Sequence, residues 1–435
     1  MGTEITLSID GIDVSYSKSH IGMDHGSLFQ KSDRKRMRSD QINYDYFESH
    51  DDPEILKMEM GFSKPLRDVV PRIELLGFTI NAIRCEYESC VLNCGEDRSD
   101  REEYRLEKAV SCMSFDQFLE IVSSINISSL NHTYDEQCLE KDPAIYGSKF
   151  VDASTLKTIP FYCSYDIQAY SEQSFLAGVL GFLHPYSALR LLAENEHNLD
   201  QDVKWQYGPL VNNGWANESE FLESSRRIEK FLIVTEGHTD ASILDLAIRT
   251  IRPEIEDFFS FIDMSEGHPF GGTGNLQKFA KGLAQMDVQN QTLFLYDNDT
   301  EGLSAFRNTK KLNLPINMSV AMLPDHESFE SFQTLGPTGK EKIDINGKAV
   351  AIECYLDLFR PELPNEPLVQ WSGYKADVKQ YQGALAKKEK YTKDFLENTP
   401  DDLLNTGYDL SKLGKVVDTI YKECVILAVN RRKAS

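Results

Sequence analysis

Two apolar runs in this chain each end on acidic residues. Phe231–Asp240 reads FLIVTEGHTD, four apolar residues and a threonine leading to Glu236 and then glycine. Further on, LFLYD ends at Asp297, followed by Asn298 and Asp299. Carboxylates are hard oxygen ligands of the kind that Mg²⁺ or Mn²⁺ takes. Asp297 and Asp299 leave their strand end in the same direction, so two oxygens can share one ion. Glu236, on a neighbouring strand, either completes the shell or acts as general acid or base. Asp240 lies four residues beyond Glu236 and reaches the same cavity if its helix starts early. Glu301 extends the run to D-x-D-x-E. Taken singly, each is an ordinary solvated carboxylate at a strand end. The ordered set points to metal-assisted chemistry.

The elements that must position these groups follow from the pattern around them. Short apolar runs bounded by turns read as buried parallel strands, and open α/β sheets place their sites at the carboxyl ends of such strands. From Phe231 the sequence alternates strand and helix. Strands are expected at Phe231–Val234, Phe258–Asp263, Thr292–Tyr296 and Ile316–Met322. Helices are expected at Asp240–Ile251, from the glycine-rich turn Gly271–Asn275 (GGTGN) to about Gln285, and at Gly302–Leu312. Such alternation implies a parallel sheet with right-handed crossovers. Beyond Pro324 the texture is polar and then helical, with helices expected at Ala349–Phe359, Lys375–Leu396 and Leu413–Asn430.

The N-terminal part reads differently. Glu4–Ile9 and Ile12–Tyr16 alternate around Asp10-Gly11, a β-hairpin signature. A basic cluster follows at Lys31, Arg34, Lys35, Arg36 and Arg38, beside the dipeptide Asp24-His25, which is either a catalytic pair or an ordinary Asp-His sequence. The cluster reads as a solvated loop or a phosphate contact. Lys108–Ile125 has helical spacing, and residues 155–197 look mostly helical. Phe175–Ala193 is apolar but interrupted by His184, Pro185 and Arg190, so it reads as two buried helices meeting at the proline rather than a membrane span. The composition shift at Asn212–Glu220 marks a boundary. The expected domains are 1–220 (a hairpin, then mostly helical), 229–325 and 326–435, and the expected class is α/β.

At 435 residues the chain has room for two or three domains, and a hydrophobic fraction of 41% permits a large core. The net charge of −23 argues against a general phosphate-neutralising surface. It leaves room for a nucleic-acid enzyme whose metal supplies positive charge. No C-x-x-C pair occurs among the eight cysteines, and the first residues do not resemble a signal peptide. Free thiols and a cytoplasmic, membrane-free location are expected.

EGHTD, GGTGN and DNDTEGLSAF, in that order, resemble the Toprim domain of topoisomerases, primases, small nucleases and the overcoming-lysogenization-defect nucleases. The resemblance covers about Glu229–Asp325. It implies a compact βα fold, Mg²⁺ on Asp297 and Asp299, and the cutting or forming of phosphodiester bonds. More loosely, MGTEITLSIDGIDVSYSK and MDHGSLF resemble the opening of bacterial HEPN/Toprim-associated proteins. That implies a conflict role such as phage defence or abortive infection. In the overcoming-lysogenization-defect nucleases a later acidic residue joins the metal site. By that resemblance Glu353, in KAVAIECYLDLF, is either a fifth member of the site or an ordinary surface glutamate. Lys340, Lys342 and Lys348 nearby either stabilise a leaving oxyanion or belong to a solvated loop.

Departures from these relatives narrow the choice. GPTGKE lacks the P-loop spacing, so any ATPase must be a separate chain, and a separate ATPase or sensor protein is the partner expected besides nucleic acid. There is no primase zinc ribbon and no long region for topoisomerase gates, which leaves the nuclease branch. Arg190 and His197 fit the HEPN spacing R-x(4–6)-H, but Leu191 stands where HEPN ribonucleases usually carry a polar residue. The leading expectation is a Mg²⁺- or Mn²⁺-dependent endonuclease acting on DNA or RNA, with Glu236, Asp297 and Asp299 catalytic and Asp240 and Glu353 as further ligands. The alternatives are a non-cleaving regulatory module that binds nucleic acid, and a toxin held inactive by a partner. The C-terminal helices offer a homodimer face.

Overall fold

The hairpin expected at the start of the chain forms. Strands β1 (Glu4–Ile9) and β2 (Ile12–Lys18) pair antiparallel. The turn residues Asp10 and Gly11 both have positive φ, at 46° and 83°, as a two-residue hairpin loop requires. The computed structural model describes residues 2–39, 41–47, 52–105, 111–138, 141–142, 144–162, 169–262, 273–286, 288–361, 363, 366–376 and 378–434. The chain divides into two compact units. The first is Met1–Glu74 with Phe78–Ser225, and the second is Leu75–Gly77 with Arg226–Ser435.

In the first unit the hairpin is extended into a five-stranded sheet by β3 (Arg34–Arg36), β4 (Met60–Pro65) and β5 (Asp202–Gln206), in the order β2-β1-β5-β4-β3. Three short strands thus join the hairpin, which was expected to be followed mostly by helices, and the remaining regular elements of this unit are helices. Strand β4 shows no period, being buried at four successive positions that include Lys64, and β5 alternates over only five residues. The basic cluster is corrected, because its middle is the edge strand β3 rather than a loop. Charged edges of this kind discourage pairing with other chains. Arg34 bonds to Glu218 and Glu223 at 3.0 and 2.9 Å, and Arg36 to Glu59 at 2.6 Å.

Trp205 centres the core of this unit, stacking on Phe62 and meeting His25 edge-on. Arg72 is fully buried and donates to the carbonyls of Ser27 and Phe29 at 3.0 and 3.1 Å. The helices include Ile80–Arg105, Phe115–Ser124, Glu172–Leu180 and Pro185–Leu192. The helix expected from Lys108 begins at Phe115, because the Ser114 hydroxyl caps it by accepting from the Gln117 amide. Lys108–Val110 lie outside the described residues. As expected, the apolar stretch splits into two helices, with Pro185 in the first turn of the second. Among the described residues no helix is long and apolar enough to cross a membrane.

The second unit holds a four-stranded parallel sheet of β6 (Phe231–Val234), β7 (Phe259–Phe261), β8 (Gln291–Tyr296) and β10 (Met318–Met322), in the order β10-β8-β6-β7. The two-residue strand β9 (Asn298–Asp299) follows β8 directly. All six residues of β8 are buried, which explains its unbroken apolar run. Helices His238–Ile251, Thr273–Gln285 and Thr300–Lys310 follow β6, β7 and β9. Gly271 and Gly272 of the glycine-rich motif, and Asp263, lie outside the described residues. Val234, Leu276, Ala280, Leu283, Phe294 and Met318 form the core between sheet and helix. Burying each large apolar side chain contributes about 1.5–3 kcal/mol.

The rest of the unit corrects the helical C-terminal extension. Strands β11 (Phe332–Gly336) and β12 (Gly339–Ile343) form a hairpin. Then come β13 (Ala349–Val350), which pairs with β9, and a second hairpin of β14 (Val369–Lys375) and β15 (Gln380–Leu385). The two hairpins join as the sheet β12-β11-β14-β15. Helices resume only at Lys388–Leu396, Pro400–Asn405 and Ser411–Ala434. Residues 349–359 carry β13 and a short 3-10 turn, Ile352–Tyr355. Ala, Lys and Gln in 375–390 favour helix locally, but pairing along β14 overrides that preference.

Candidate functional site

Sheet topology sets the position of the site. From β6 the chain moves to β7 on one side, then returns across β6 to β8 on the other. The strand order therefore reverses between β6 and β8, and a crevice opens there at their carboxyl ends. Glu236 follows β6 and Asp297 follows β8, on adjacent parallel strands. The Asp297 amide donates to Glu236 Oε1 at 3.2 Å, so the two acidic residues are in direct contact.

Asp297 is the electrostatic centre. Burial, and then the charges of Asp240, Glu236, Asp299 and Glu353, push its carboxyl well above the usual range. The helix containing Asp240 starts at His238, early enough to bring that carboxylate to the crevice. Its Oδ2 accepts from the Gly237 amide at 2.9 Å. Burial, with Glu353 nearby, raises Asp240 to about 7. Five sequence-selected carboxylates thus share one neighbourhood.

Asp299 is placed differently. It caps the helix Thr300–Lys310, its Oδ1 accepting from the Gly302 amide at 2.7 Å. Its Oδ2 accepts from Gln382 Nε2 at 2.6 Å. Burial raises this carboxyl too, opposed by those two hydrogen bonds. Gly302 is required by close approach, since a Cβ there would lie 2.1 Å from the Asp297 carbonyl oxygen. Glu301 pairs with Lys375 at 2.6 Å.

Glu353 is buried, at 2% exposure. Its Oε1 meets Lys388 Nζ at 3.1 Å, while its Oε2 is buried without a hydrogen-bond partner. Burial alone would lower the Lys388 ammonium, but Glu353, with Asp240 and Asp297 beyond it, holds it above its ordinary value. Lys388 is the cation that the sequence reading missed. Of the lysines it considered, Lys340 pairs with Glu366 and Lys348 with Asp344, and Lys340 and Lys342 lie on β12 rather than in a loop. Gln382 and Asn298 were also missed. Asn298 bonds to Asp325 at 2.7 Å and accepts from the Gly347 amide at 2.9 Å. No local motif marks residues whose partners come from distant strands.

The donor set suits a hard divalent cation, and an orphaned buried carboxylate oxygen is what such an ion would satisfy. Among the described residues, no three His, Cys, Asp or Glu side chains already form a metal shell. Closing one around Asp297 requires side-chain rotation.

The other candidates sit in the first unit. Asp24 Oδ1 accepts from the Gly26 amide at 2.9 Å. The His25 ring is buried against Tyr186 and Trp205, with Nδ1 3.3 Å from the Tyr186 hydroxyl. Arg190 pairs with Glu74 and Glu194 at 2.9 and 2.5 Å. His197 lies on the short turn Glu196–Asn198, where its amide donates to Asn195. The described cysteines are free thiols, and Cys163 lies outside the described residues.

No curated protein and no solved structure matches the chain. The family model "HEPN/Toprim N-terminal domain 1" matches residues 1–229, more than half of the 435 residues. With that match over the five-stranded sheet and its helices, the chain belongs to the HEPN/Toprim N-terminal domain 1 family.

Proposed function

We propose that the chain is a metal-dependent nuclease of the Toprim kind, acting on phosphodiester bonds in the bacterial cytoplasm, with a role in phage defence. The observation that carries this reading is the half-buried Asp297 carboxylate at a strand-order reversal, its amide bonded to Glu236 and its carboxyl raised by burial and by the charges of Asp240, Glu236, Asp299 and Glu353. Family membership supports it through the domain's association with Toprim and HEPN modules. Asp297, Glu236, Asp240 and Glu353 would hold Mg²⁺ or Mn²⁺, with Asp299 joining by its remaining lone pairs. The ion would supply charge stabilisation at phosphorus and a more acidic bound water.

The chain's own residues have separable roles. Glu236, in contact with the Asp297 amide, orients that residue and accepts or returns a proton. Asp299 fixes the start of the helix Thr300–Lys310 and so the direction of the Asp297 backbone. Lys388 brings the ammonium that meets phosphate oxygens or a leaving alkoxide.

The test is incubation of the purified chain with plasmid, single-stranded DNA and tRNA in Mg²⁺ or Mn²⁺. Cleavage is expected from the wild type and not from Asp297→Asn. Equal cleavage by both would overturn the assignment. A second reading, a module that binds nucleic acid without cutting, is favoured by Asp299, whose two oxygens are both hydrogen-bonded to the chain. Binding with intact substrate in both metals would select it.

A further inference from the structure

The loop that carries Asp299 is clasped from strand β15. Gln382 Nε2 donates to Asp299 Oδ2 at 2.6 Å, and Gln382 Oε1 accepts from the Glu301 amide at 3.1 Å. Between those two bonds the Thr300 hydroxyl donates to the Tyr381 carbonyl at 2.9 Å. Lys375 of β14 then pairs with the Glu301 carboxylate at 2.6 Å. Gln382 is itself fixed. It is half-buried, and its carbonyl accepts from the Ser372 hydroxyl at 3.1 Å. The next amide, of Gly383, donates to the Lys348 carbonyl at 3.4 Å. The rings of Tyr374 and Tyr381 stand on the hairpin's other face, 56% and 58% exposed.

We infer that Gln382 is the positioning residue of Asp299 and sets the preference of the carboxylate site for Mg²⁺ over Ca²⁺. The inference rests on the metal reading of the crevice, and Gln382 acts through Asp299 rather than on a substrate. A carboxylate offers two oxygens, each with two lone pairs. At Asp299 the Gly302 amide holds Oδ1 and Gln382 holds Oδ2. The group cannot turn about its Cβ–Cγ bond without breaking one of these bonds. Ca²⁺ accepts many oxygens in flexible arrangements and takes both oxygens of one carboxylate, whereas Mg²⁺ demands near-octahedral order from fewer protein ligands. A carboxylate held at both ends therefore suits the smaller ion. Glutamine fits this task because one amide carries a donor for the carboxylate and an acceptor for the backbone N–H. A glutamate at the same place supplies only the acceptor, and a lysine only the donor.

The experiment is isothermal titration calorimetry of the full-length protein with magnesium chloride or calcium chloride alone, without nucleic acid. Wild type should bind Mg²⁺ more tightly than Ca²⁺. Gln382→Met, similar in length but without either hydrogen bond, should weaken Mg²⁺ binding roughly tenfold or more and Ca²⁺ binding less. Gln382→Glu keeps the acceptor for the Glu301 amide but not the donor for Asp299. It should move the ratio of the two dissociation constants in the same direction, and it decides the matter if the Met variant unfolds. Lys375→Met frees only the Glu301 carboxylate and should keep the wild-type ratio. A clasp that serves structure alone would weaken both ions alike. Gln382 variants with the wild-type ratio, a Lys375→Met protein that shifts it as far as they do, or a wild type without preference for Mg²⁺ would each overturn the inference and leave the metal reading standing. A wild type that binds neither ion would sink the metal reading and the inference with it.

Discussion

Lys388 Nζ lies 3.1 Å from Glu353 Oε1, and the partners are unequally exposed: the Glu353 side chain is 3% exposed and that of Lys388 48%. Removing the lysine leaves a buried carboxylate without its counter-charge, with the second oxygen already lacking a partner. Lys388→Met should therefore lower the unfolding free energy by about 2 kcal/mol without metal. Adding Glu353→Gln should recover most of that loss, and Mg²⁺ should stabilise the single variant more than the wild type. Urea unfolding of the three proteins with EDTA and with Mg²⁺ checks this. A Lys388→Met protein as stable as wild type in EDTA would show that the pair is too well solvated to matter.

Asp297 crowds against four other acidic groups, an arrangement that costs stability until a cation is present. Asp297→Asn relieves that repulsion. The metal-free variant should melt above metal-free wild type, by about 2–4 °C for each kcal/mol relieved. Mg²⁺ at about a hundred times its dissociation constant should add about 2.7 kcal/mol to wild type and much less to the variant. Thermal melts in EDTA and over a Mg²⁺ series measure both effects. A variant that melts lower than wild type in EDTA would mean that Asp297 serves structure instead.

The part of this site legible in the sequence is the part built from local pattern. FLIV and LFLY are continuous apolar runs because parallel strands covered on both faces have no solvent side to encode. Their terminal carboxylates could be located for the same reason. Gln382 and Lys388 had no such marker, because each reaches the site through pairing with elements far away in the chain. The hairpin of β14 and β15 escaped notice because its outer half is solvated on the ring side. Tyr374 and Tyr381 therefore sit among Gly, Ser, Lys and Gln, without the apolar alternation that reveals a half-buried strand. In the first unit, β4 was hidden by the buried Lys64, and β5 by its shortness, five residues. The Lys64 ammonium is held at 2.8 Å from both Gln30 and Asp33, a compensation that no period predicts.

Gly302 tests whether backbone proximity, and not only carboxylate chemistry, defines the site. A Cβ at this position would stand 2.1 Å from the oxygen and 3.0 Å from the carbon of the Asp297 carbonyl. Neither can swing aside as a side chain would. Gly302→Ala should destabilise the protein by about 1–3 kcal/mol and abolish the Mg²⁺-induced rise in melting temperature, although every carboxylate remains. Gly282→Ala is the matched control, because its added Cβ meets nothing within 4 Å in the helix Thr273–Gln285. That change should stabilise by about 0.5–1 kcal/mol. A Gly302→Ala protein with a normal Mg²⁺ response would show that the loop has room the geometry denies.

His25 sets a pH limit on the first unit. Burial lowers its pKa from 6.5 to about 3, His184 adding to that effect and Asp24 opposing it. The folded chain thus keeps the ring neutral where the unfolded chain protonates it. Stability from this residue is complete above pH 6.5 and is lost as pH falls toward 3. The slope is at most about 1.4 kcal/mol per pH unit, so about 2 kcal/mol should be gone at pH 5. His25→Gln, which cannot take up the proton, should be less stable than wild type at pH 7.5 yet lose less on acidification. Urea unfolding followed by tryptophan fluorescence suits this test, because Trp205 meets the His25 ring edge-on at 5.4 Å. Wild type and variant losing the same stability between pH 7.5 and 5 would mean that the ring opens to water and protonates in the folded protein.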